Sequence, residues 1–135
     1  MWTGSCFCGE VRYEVGGPVH HQTLCHCAMC RRTTGAPCVA WFTAPAAAFR
    51  YTRGAPAQFH SSPGVTRSFC ARCGTQLTFE DTRSAGAIDV TTCSLDDPEA
   101  LPPRDHTHVG SQLDWLHLAD DLPRYVRSRD DNERV

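Results

Sequence analysis

The chain has 135 residues with 13 basic residues, all arginine, against 15 acidic ones, and its formal net charge at pH 7 is −2. This length predicts one domain that is large enough to bury its own core. The slightly negative charge and the lack of lysine argue against a nucleic-acid partner. No stretch of 18 apolar residues is present, which argues against a membrane span.

Short strands separated by turns dominate the pattern along the chain. Val11, Tyr13 and Val15 alternate with charged residues, which predicts a half-buried strand that ends at the break over residues 16–18. Residues 19–25 can return as a second strand. Further strands are predicted at residues 38–43, 49–51, 58–60, 65–69, 75–79, 87–92 and 107–110. The expected fold class is therefore mainly β, a single domain of short antiparallel sheets.

The last third of the chain has weaker patterns. One helical turn is predicted over residues 96–101, with Pro98 near its first position. Trp115, Leu116 and Leu118 are expected to pack near the end of the fold. Residues 127–135 are predicted to form a frayed, charged C-terminal tail, so that the domain would span residues 1–126.

The cysteine content bears on the cellular compartment. The N-terminus has neither a basic region nor an apolar stretch, so we expect no signal peptide and a cytoplasmic protein. In a reducing compartment, nine cysteines are expected to be thiols or metal ligands, and an odd count also argues against a closed disulfide framework.

Seven of the nine cysteines fall into three tight clusters. The clusters are Cys6 with Cys8, then Cys25 with Cys27 and Cys30, and then Cys70 with Cys73. Alternate residues of a strand point to one face, so that Cys-x-Cys can present two sulfurs together. Cys-x-x-Cys can do the same around a tight turn, and thiolates at these spacings can reach one zinc ion.

The number of ligands suggests two zinc ions in different states. If each cluster stays intact, one complete four-cysteine set and one three-cysteine set with a vacant position result. The complete set is Cys6, Cys8, Cys70 and Cys73, and the open set is Cys25, Cys27 and Cys30. Structural zinc sites have four protein ligands, whereas catalytic sites often keep three and an open position.

Three alternatives stay open for the second set. His26 could close it, although an extended backbone would turn this residue away from its two cysteine neighbours. A distant residue could be the fourth ligand, with His60, His106, His108 and Cys93 as candidates. The clusters could also pair differently.

A zinc ion with three thiolates carries a net charge of −1 and is a poor Lewis acid, because sulfur donates charge to the metal. Its vacancy suits a soft ligand such as a substrate thiol, which would bind as the thiolate. A thiolate held beside an aldehyde or imine carbon could add to it or leave from the adduct. The open site thus predicts the formation or cleavage of a carbon–sulfur bond on a small thiol.

Four further residues are candidates for substrate binding. Arg31 and Arg32 follow the open set directly and could hold the carboxylates of a peptide-like substrate, or could lie on a solvated surface. Cys93 ends a predicted strand and could border a pocket. His106 could transfer a proton or form a structural hydrogen bond. Cys38, in an apolar strand, is expected to be a buried inert thiol.

The same motifs resemble a known family, the glutathione-dependent formaldehyde-activating (GFA) family, which includes centromere protein V-like proteins. The resemblance lies in the segments 4–13, 25–36 and 67–77, which hold the three cysteine clusters, and in a weaker C-terminal pattern over residues 88–96, His106, Trp115, Asp120, Leu122, Pro123 and Tyr125. Phe7 departs from the family, which commonly has a histidine there, and His108 stands where an aromatic residue is common.

The resemblance implies a mainly β fold with a closed and an open zinc site. It assigns Cys6, Cys8, Cys70 and Cys73 to structural zinc and Cys25, Cys27 and Cys30 to catalytic zinc. It also implies a reaction that joins formaldehyde and glutathione into S-hydroxymethylglutathione, with glutathione as a co-substrate.

The resulting hypothesis is a zinc-dependent carbon–sulfur lyase or synthase that acts on a small thiol adduct. The alternative is a non-catalytic module, either a zinc-bearing glutathione carrier or a protein-interaction scaffold. We expect a small-molecule thiol as the partner, no nucleic acid and no membrane, and a monomer or homodimer.

Overall fold

The structure is a computed structural model that describes residues 1–131 and 134–135, and it is mainly β, as predicted. The described residues form ten strands and one α-helix. The strands are β1 (Trp2–Ser5), β2 (Arg12–Val15), β3 (His20–Cys25), β4 (Val39–Pro45), β5 (Phe49–Arg53), β6 (Ala57–Ser62), β7 (Val65–Phe69), β8 (Gln76–Asp81), β9 (Ala87–Thr91) and β10 (Asp105–Thr107). The helix is α1 (Ala28–Thr34).

The strands form two sheets of different size. The small sheet has three antiparallel strands in the order β1-β2-β5. The large sheet has seven strands in the order β10-β3-β4-β9-β8-β7-β6, and all its neighbours are antiparallel except β10 and β3. The parallel pair is possible because about 80 residues separate its two strands in the chain.

The core lies between the two sheets. The alternation in β2 buries Tyr13 and Val15, and the Tyr13 ring stacks on Phe49 of β5 with a centroid distance of 5.2 Å. Phe42 of β4 and Val90 of β9 are register partners in the large sheet and belong to the same buried cluster. One face of the large sheet is therefore covered by the small sheet.

The opposite face of the large sheet carries a row of polar and aromatic side chains. Arg67, Phe79, Asp89 and Thr43 are consecutive register partners across β7, β8, β9 and β4. Directly opposed residues of neighbouring strands project to the same face. These four side chains thus share the face that Phe42 and Val90 do not occupy.

Helix α1 was not among the predicted elements. It begins after Cys27, whose sulfur accepts a hydrogen bond from the N–H group of Cys30, and it ends at Gly35, which adopts a left-handed conformation (φ 68°). Cys30 is its one buried residue, so the seven-residue helix has no apolar stripe that a sequence pattern could reveal.

The C-terminal third corrects two expectations and confirms a third. The last strand is Asp105–Thr107 rather than residues 107–110. Trp115 is 68% exposed and Leu118 is exposed as well, so the prediction that they pack at the end of the fold is wrong. The predicted turn over residues 96–101 is present as a 3₁₀ turn, Pro98–Ala100, with the proline in its first positions.

The C-terminal tail that was predicted to be frayed is anchored at several points. The N–H group of His108 donates to the backbone oxygen of Arg127 at 2.9 Å, and the N–H group of Val135 donates to that of Arg124 at 2.8 Å. Arg129 donates two hydrogen bonds of 2.7 Å to the buried carboxylate of Asp105. Residues 132 and 133 of that prediction lie outside the described residues. Within the described part of the chain, no helix has the length and apolar character needed to cross a membrane.

Candidate metal centres

The four-cysteine cluster joins two turns that are far apart in sequence. Cys6 and Cys8 lie in the turn that follows β1, not on a strand as the spacing suggested, and Cys70 and Cys73 lie in the turn between β7 and β8. All four sulfurs lie within 4.8 Å of one another.

The geometry of these sulfurs fits a tetrahedral metal ion. Metal–sulfur bonds of about 2.3 Å in a tetrahedron place neighbouring sulfurs about 3.8 Å apart. The Sγ atoms of Cys6 and Cys8 are 3.6 Å apart, and those of Cys8 and Cys70 are 3.8 Å apart. The backbone N–H groups of Val11 and Cys73 donate to the sulfurs of Cys6 and Cys70, at 3.3 and 3.5 Å. Such donors stabilise thiolates, so this cluster could hold a metal ion.

The three-cysteine cluster comes from one short segment of the chain. Cys25 is the last residue of β3, Cys27 caps α1, and Cys30 lies in the first turn of the helix. Their sulfurs also lie within 4.8 Å of one another, so this set too could hold a metal ion. The N–H group of Cys30 donates to the Cys27 sulfur at 3.3 Å, which fixes that sulfur at the start of the helix.

Proton sharing within this cluster favours one thiolate. Hydrogen bonds from Cys25 and Cys30 hold the pKa of the Cys27 thiol well below its ordinary value. The same hydrogen bonding raises the pKa of Cys25 far above its ordinary value. A bound cation would remove this competition, because metal ligation requires that every sulfur give up its proton.

The three cysteines line a cavity of about 420 Å³ on the polar face of the large sheet. The other residues that line it are His21, Thr23, Met29, Trp41, Thr43, Arg67, Phe79, Arg83, Asp89, Thr107, His108, Ser128, Arg129 and Asp130. A small molecule that enters this cavity can therefore contact the sulfurs directly.

Two buried histidines lie behind the cluster. His26 is 0% exposed and turns away from its cysteine neighbours, and its Nε2 atom lies 2.9 Å from Nδ1 of His106. His106 is also fully buried, and its Nε2 atom lies 2.9 Å from the Asp120 carboxylate. Burial lowers the pKa of His26 to about 4, which keeps this ring neutral near pH 7. A chain of hydrogen bonds thus links Asp120, His106 and His26, and it reaches the backbone between Cys25 and Cys27.

The distant candidates for a fourth ligand do not join the cluster. In the part of the chain that the structure describes, His60, His106, His108 and Cys93 have no ligand atom within 4.8 Å of all three sulfurs. His108 nevertheless lines the cavity, and it lies close enough to Cys27 to interact with its charge.

The predicted substrate-binding residues are placed elsewhere. Arg31 donates a hydrogen bond to the backbone oxygen of Ser111, and Arg32 is exposed. Neither arginine is among the described residues that line the cavity, and His106 lies behind the cysteines. Cys93 lines a second cavity of about 550 Å³ beside Cys73, and Cys38 lines that cavity as well.

Sequence reasoning did not identify the main cavity residues on the large sheet. Arg67, Phe79 and Asp89 project from three neighbouring strands, and Trp41 of β4 lines the cavity as well. The one available signal was the position of Arg67, two residues after Val65 on a strand that was correctly predicted. Because arginine is rarely buried, the pattern by itself would not place it there.

The fold and the two cysteine clusters define a small β protein that could hold two metal ions. The sequence model of the family "Glutathione-dependent formaldehyde-activating enzyme" matches residues 1–111. The chain belongs to this family, as the motifs predicted.

Two similar proteins support this assignment. A protein of Halomonas elongata named "Putative glutathione-dependent formaldehyde-activating enzyme" is 30% identical over 125 residues, which cover 85% of this chain and 79% of the relative. The crystal structure of a Rhodobacter sphaeroides protein shares the fold with a TM-score of 0.61 and 27% identity, and the match covers 78% of this chain and 99% of that protein.

Proposed function

We propose that this protein is a zinc-dependent carbon–sulfur lyase or synthase that acts on a small thiol and its aldehyde adduct, of the S-hydroxymethylglutathione type. The observation that carries the proposal is the exposure of three converging sulfurs to a cavity. A tetrahedral ion bound by three protein sulfurs needs a fourth ligand, and a molecule in the cavity can supply it.

Zinc is the metal that best suits both clusters. Both sets consist of sulfur alone, and sets of three or four thiolates select soft or borderline ions with tetrahedral preference. The sulfur spacings in the four-cysteine cluster match the zinc–sulfur bond length. We therefore assign a structural ion to Cys6, Cys8, Cys70 and Cys73 and a reactive ion to Cys25, Cys27 and Cys30.

The proposed reaction begins with a substrate sulfur that binds beside the sulfurs of Cys25, Cys27 and Cys30. Zinc, when bound there, would keep the substrate sulfur in its thiolate form. The sulfur electron pair then forms a bond to the aldehyde carbon, and the carbonyl electron pair moves to oxygen, which takes up a proton. In the reverse direction the carbon–sulfur bond breaks and the proton leaves. His108 lines the cavity, and an imidazole can exchange this proton near neutral pH.

Glutathione is the proposed thiol. The family carries glutathione and formaldehyde in its name. A cavity of about 420 Å³ falls within the usual range for sites of small molecules, about 300–1,000 Å³. None of the nine cysteines forms a disulfide, which suits a reducing compartment, so we propose a cytoplasmic location.

Native mass spectrometry of the zinc-saturated protein, with and without glutathione, tests this proposal. We expect two zinc ions per chain and one added glutathione. Cys27→Ser is expected to lose one zinc ion and the glutathione adduct. Cys38→Ser is the matched control, since Cys38 lies outside both clusters, and it is expected to keep both.

Two results would contradict the proposal. One is a single zinc ion in the unchanged protein, and the other is an adduct that survives in Cys27→Ser. A steady-state measurement of adduct formation from glutathione and formaldehyde then separates an enzyme from a carrier, because a carrier releases its ligand unchanged.

A further inference from the structure

Arg67 is a buried cation with an unused hydrogen-bond donor. It is 3% exposed, its Nε–H group donates to Ser61 Oγ at 3.2 Å, and its guanidinium carbon lies 4.9 Å from the centre of the Phe79 ring. Among the described residues, its Nη1 atom has no hydrogen-bond partner. A buried polar group without a partner is costly, and a buried charge more so, which suggests that a ligand completes it.

The other charged groups of the cavity do not neutralise Arg67. Asp89 stands in the same row, but Phe79 of the intervening strand separates the two. Its carboxylate accepts a hydrogen bond of 2.6 Å from Thr43, and burial raises the pKa of Asp89. The remaining arginines of the cavity have carboxylate partners, since Arg83 pairs with Asp81 and Arg129 pairs with Asp105. Asp130 also lines the cavity but is exposed, unlike Arg67.

A second unused donor lines the same cavity. Trp41 is buried, and its Nε1–H group has no partner within residues 1–131 and 134–135. Its ring contacts the edge of Phe79, with the centroids 6.3 Å apart. Arg67 and Trp41 thus pack on the same aromatic ring, and both line the cavity that contains the three sulfurs.

We propose that Arg67 and Trp41 form an anion-binding subsite next to Cys25, Cys27 and Cys30, and that this subsite takes a carboxylate of the thiol substrate. The proposal rests on the proposed function for the identity of the reacting sulfur. A carboxylate has two oxygens that can accept from a guanidinium N–H and an indole N–H together. Arg67 is then a specificity residue that favours acidic thiols over neutral ones.

Arg67 has a competing explanation, because it lies close enough to Cys30 to stabilise that thiolate. If its role were only to offset the charge of three metal-bound thiolates, its loss would weaken metal binding and leave the choice between thiols unchanged. The preference for an acidic thiol over its neutral amide therefore separates the two roles.

The test compares 3-mercaptopropionate with its neutral analogue 3-mercaptopropionamide, by titration calorimetry on the zinc-loaded protein. We expect the acid to bind about tenfold more tightly than the amide. Arg67→Met is expected to weaken binding of the acid much more than binding of the amide, and so to remove this preference. Arg67→Lys keeps the charge and is expected to keep part of the preference. The control is Arg83→Gln, which removes an exposed arginine at the same cavity and is expected to keep all of it.

A thiol-free probe keeps the subsite testable if thiols fail to bind through sulfur. Butyrate has the shape of 3-mercaptopropionate without the thiol, and in the unchanged protein it is expected to shift the Nε–Hε NMR signal of Arg67. This NMR titration uses the unchanged protein, so it does not depend on whether Arg67→Met folds. No shift with butyrate, equal affinity for acid and amide in the unchanged protein, or a preference that survives in Arg67→Met would overturn the proposal.

Discussion

The two cysteine clusters differ in the number of their ligands and in how far apart these ligands lie in the chain. The four-cysteine cluster draws its ligands from two turns, and Cys8 and Cys70 are separated by 62 positions in the chain. The three-cysteine cluster comes from residues 25–30 alone. A metal ion in the first would close a long loop and connect the small sheet with the large one, whereas an ion in the second would close only a short one.

Ligand number and chain separation together predict a role in stability for one cluster and a role in binding for the other. Four sulfurs complete a tetrahedron and leave no position for a substrate. Three sulfurs that line a cavity leave one coordination position open. We expect their arrangement to depend on neighbouring groups, such as the His26 and His106 pair. The first cluster is therefore expected to determine whether the protein folds, and the second to determine what it binds.

Loss of a ligand from the four-cysteine cluster is the strongest way to test this division. Cys70→Ser removes a buried sulfur of that cluster, and we expect the free energy of unfolding to fall by several kcal/mol, roughly 3 or more. Thermal unfolding followed by circular dichroism measures the effect. Cys27→Ser is the matched variant in the other cluster and is expected to lower stability much less. Equal losses in the two variants would show that the clusters are equivalent.

Stepwise removal of metal sharpens the same comparison without any mutation. A chelator titrated into the zinc-loaded protein is expected to take the first equivalent from the three-cysteine cluster, whose sulfurs line a cavity. The far-ultraviolet circular dichroism is expected to stay nearly constant until the second equivalent leaves. Simultaneous measurement of released zinc and circular dichroism checks the order, and loss of the fold with the first equivalent would contradict it.

Much of this arrangement could be predicted from the sequence because it depends on local patterns. The alternation in β2 and the Cys-x-x-Cys turn between β7 and β8 specify strands and ligands within a few residues of one another. The grouping of the cysteines into four and three followed from counting ligands, and the structure brings those sulfurs together in the same sets.

The remainder depends on contacts that no local pattern encodes. The parallel pairing of β10 with β3 joins residues about 80 positions apart and brings His106 behind the three cysteines. Arg67 becomes buried only because β7 lies between β6 and β8 in the large sheet, with Phe79 beside it. The sequence therefore predicted which residues could bind a metal, but not which residues line the cavity beside them.

Loss of the hydrogen bonds behind the three-cysteine cluster is expected to lower the free energy of unfolding by a smaller amount. Asp120→Ala removes the carboxylate that accepts from His106 Nε2, and we expect a loss of about 1 kcal/mol, since this carboxylate is partly exposed. Without this acceptor the His106 tautomer is no longer fixed, so the contact with His26 weakens as well. Urea denaturation gives the stability, and ¹⁵N NMR of the imidazole gives the tautomer. Asp121→Ala, at an exposed neighbour, is the control, and an equal effect there would rule out the specific role.

The smallest expected effect concerns the carboxylate of Asp89, which lines the cavity beside the three-cysteine cluster. Burial raises the pKa of Asp89, although the hydrogen bond from Thr43 opposes this shift. The folded state then binds the proton more tightly than the unfolded state does. The stability that Asp89 contributes is thus fully present below the unfolded pKa, about 3.9, and is lost as the pH rises through the folded pKa.

Asp89→Asn removes this dependence, because an amide does not ionise and its oxygen can still accept from Thr43. We expect the variant to gain stability relative to the unchanged protein as the pH rises above about 4, by on the order of 1 kcal/mol. Urea denaturation of both zinc-loaded proteins at each pH measures the difference and cancels the pH dependence of metal binding that they share. Asp97→Asn, at an exposed position, is expected to show no such trend. A difference that is flat or shrinks with rising pH would mean that the Asp89 carboxylate carries no penalty for its charge in the folded state.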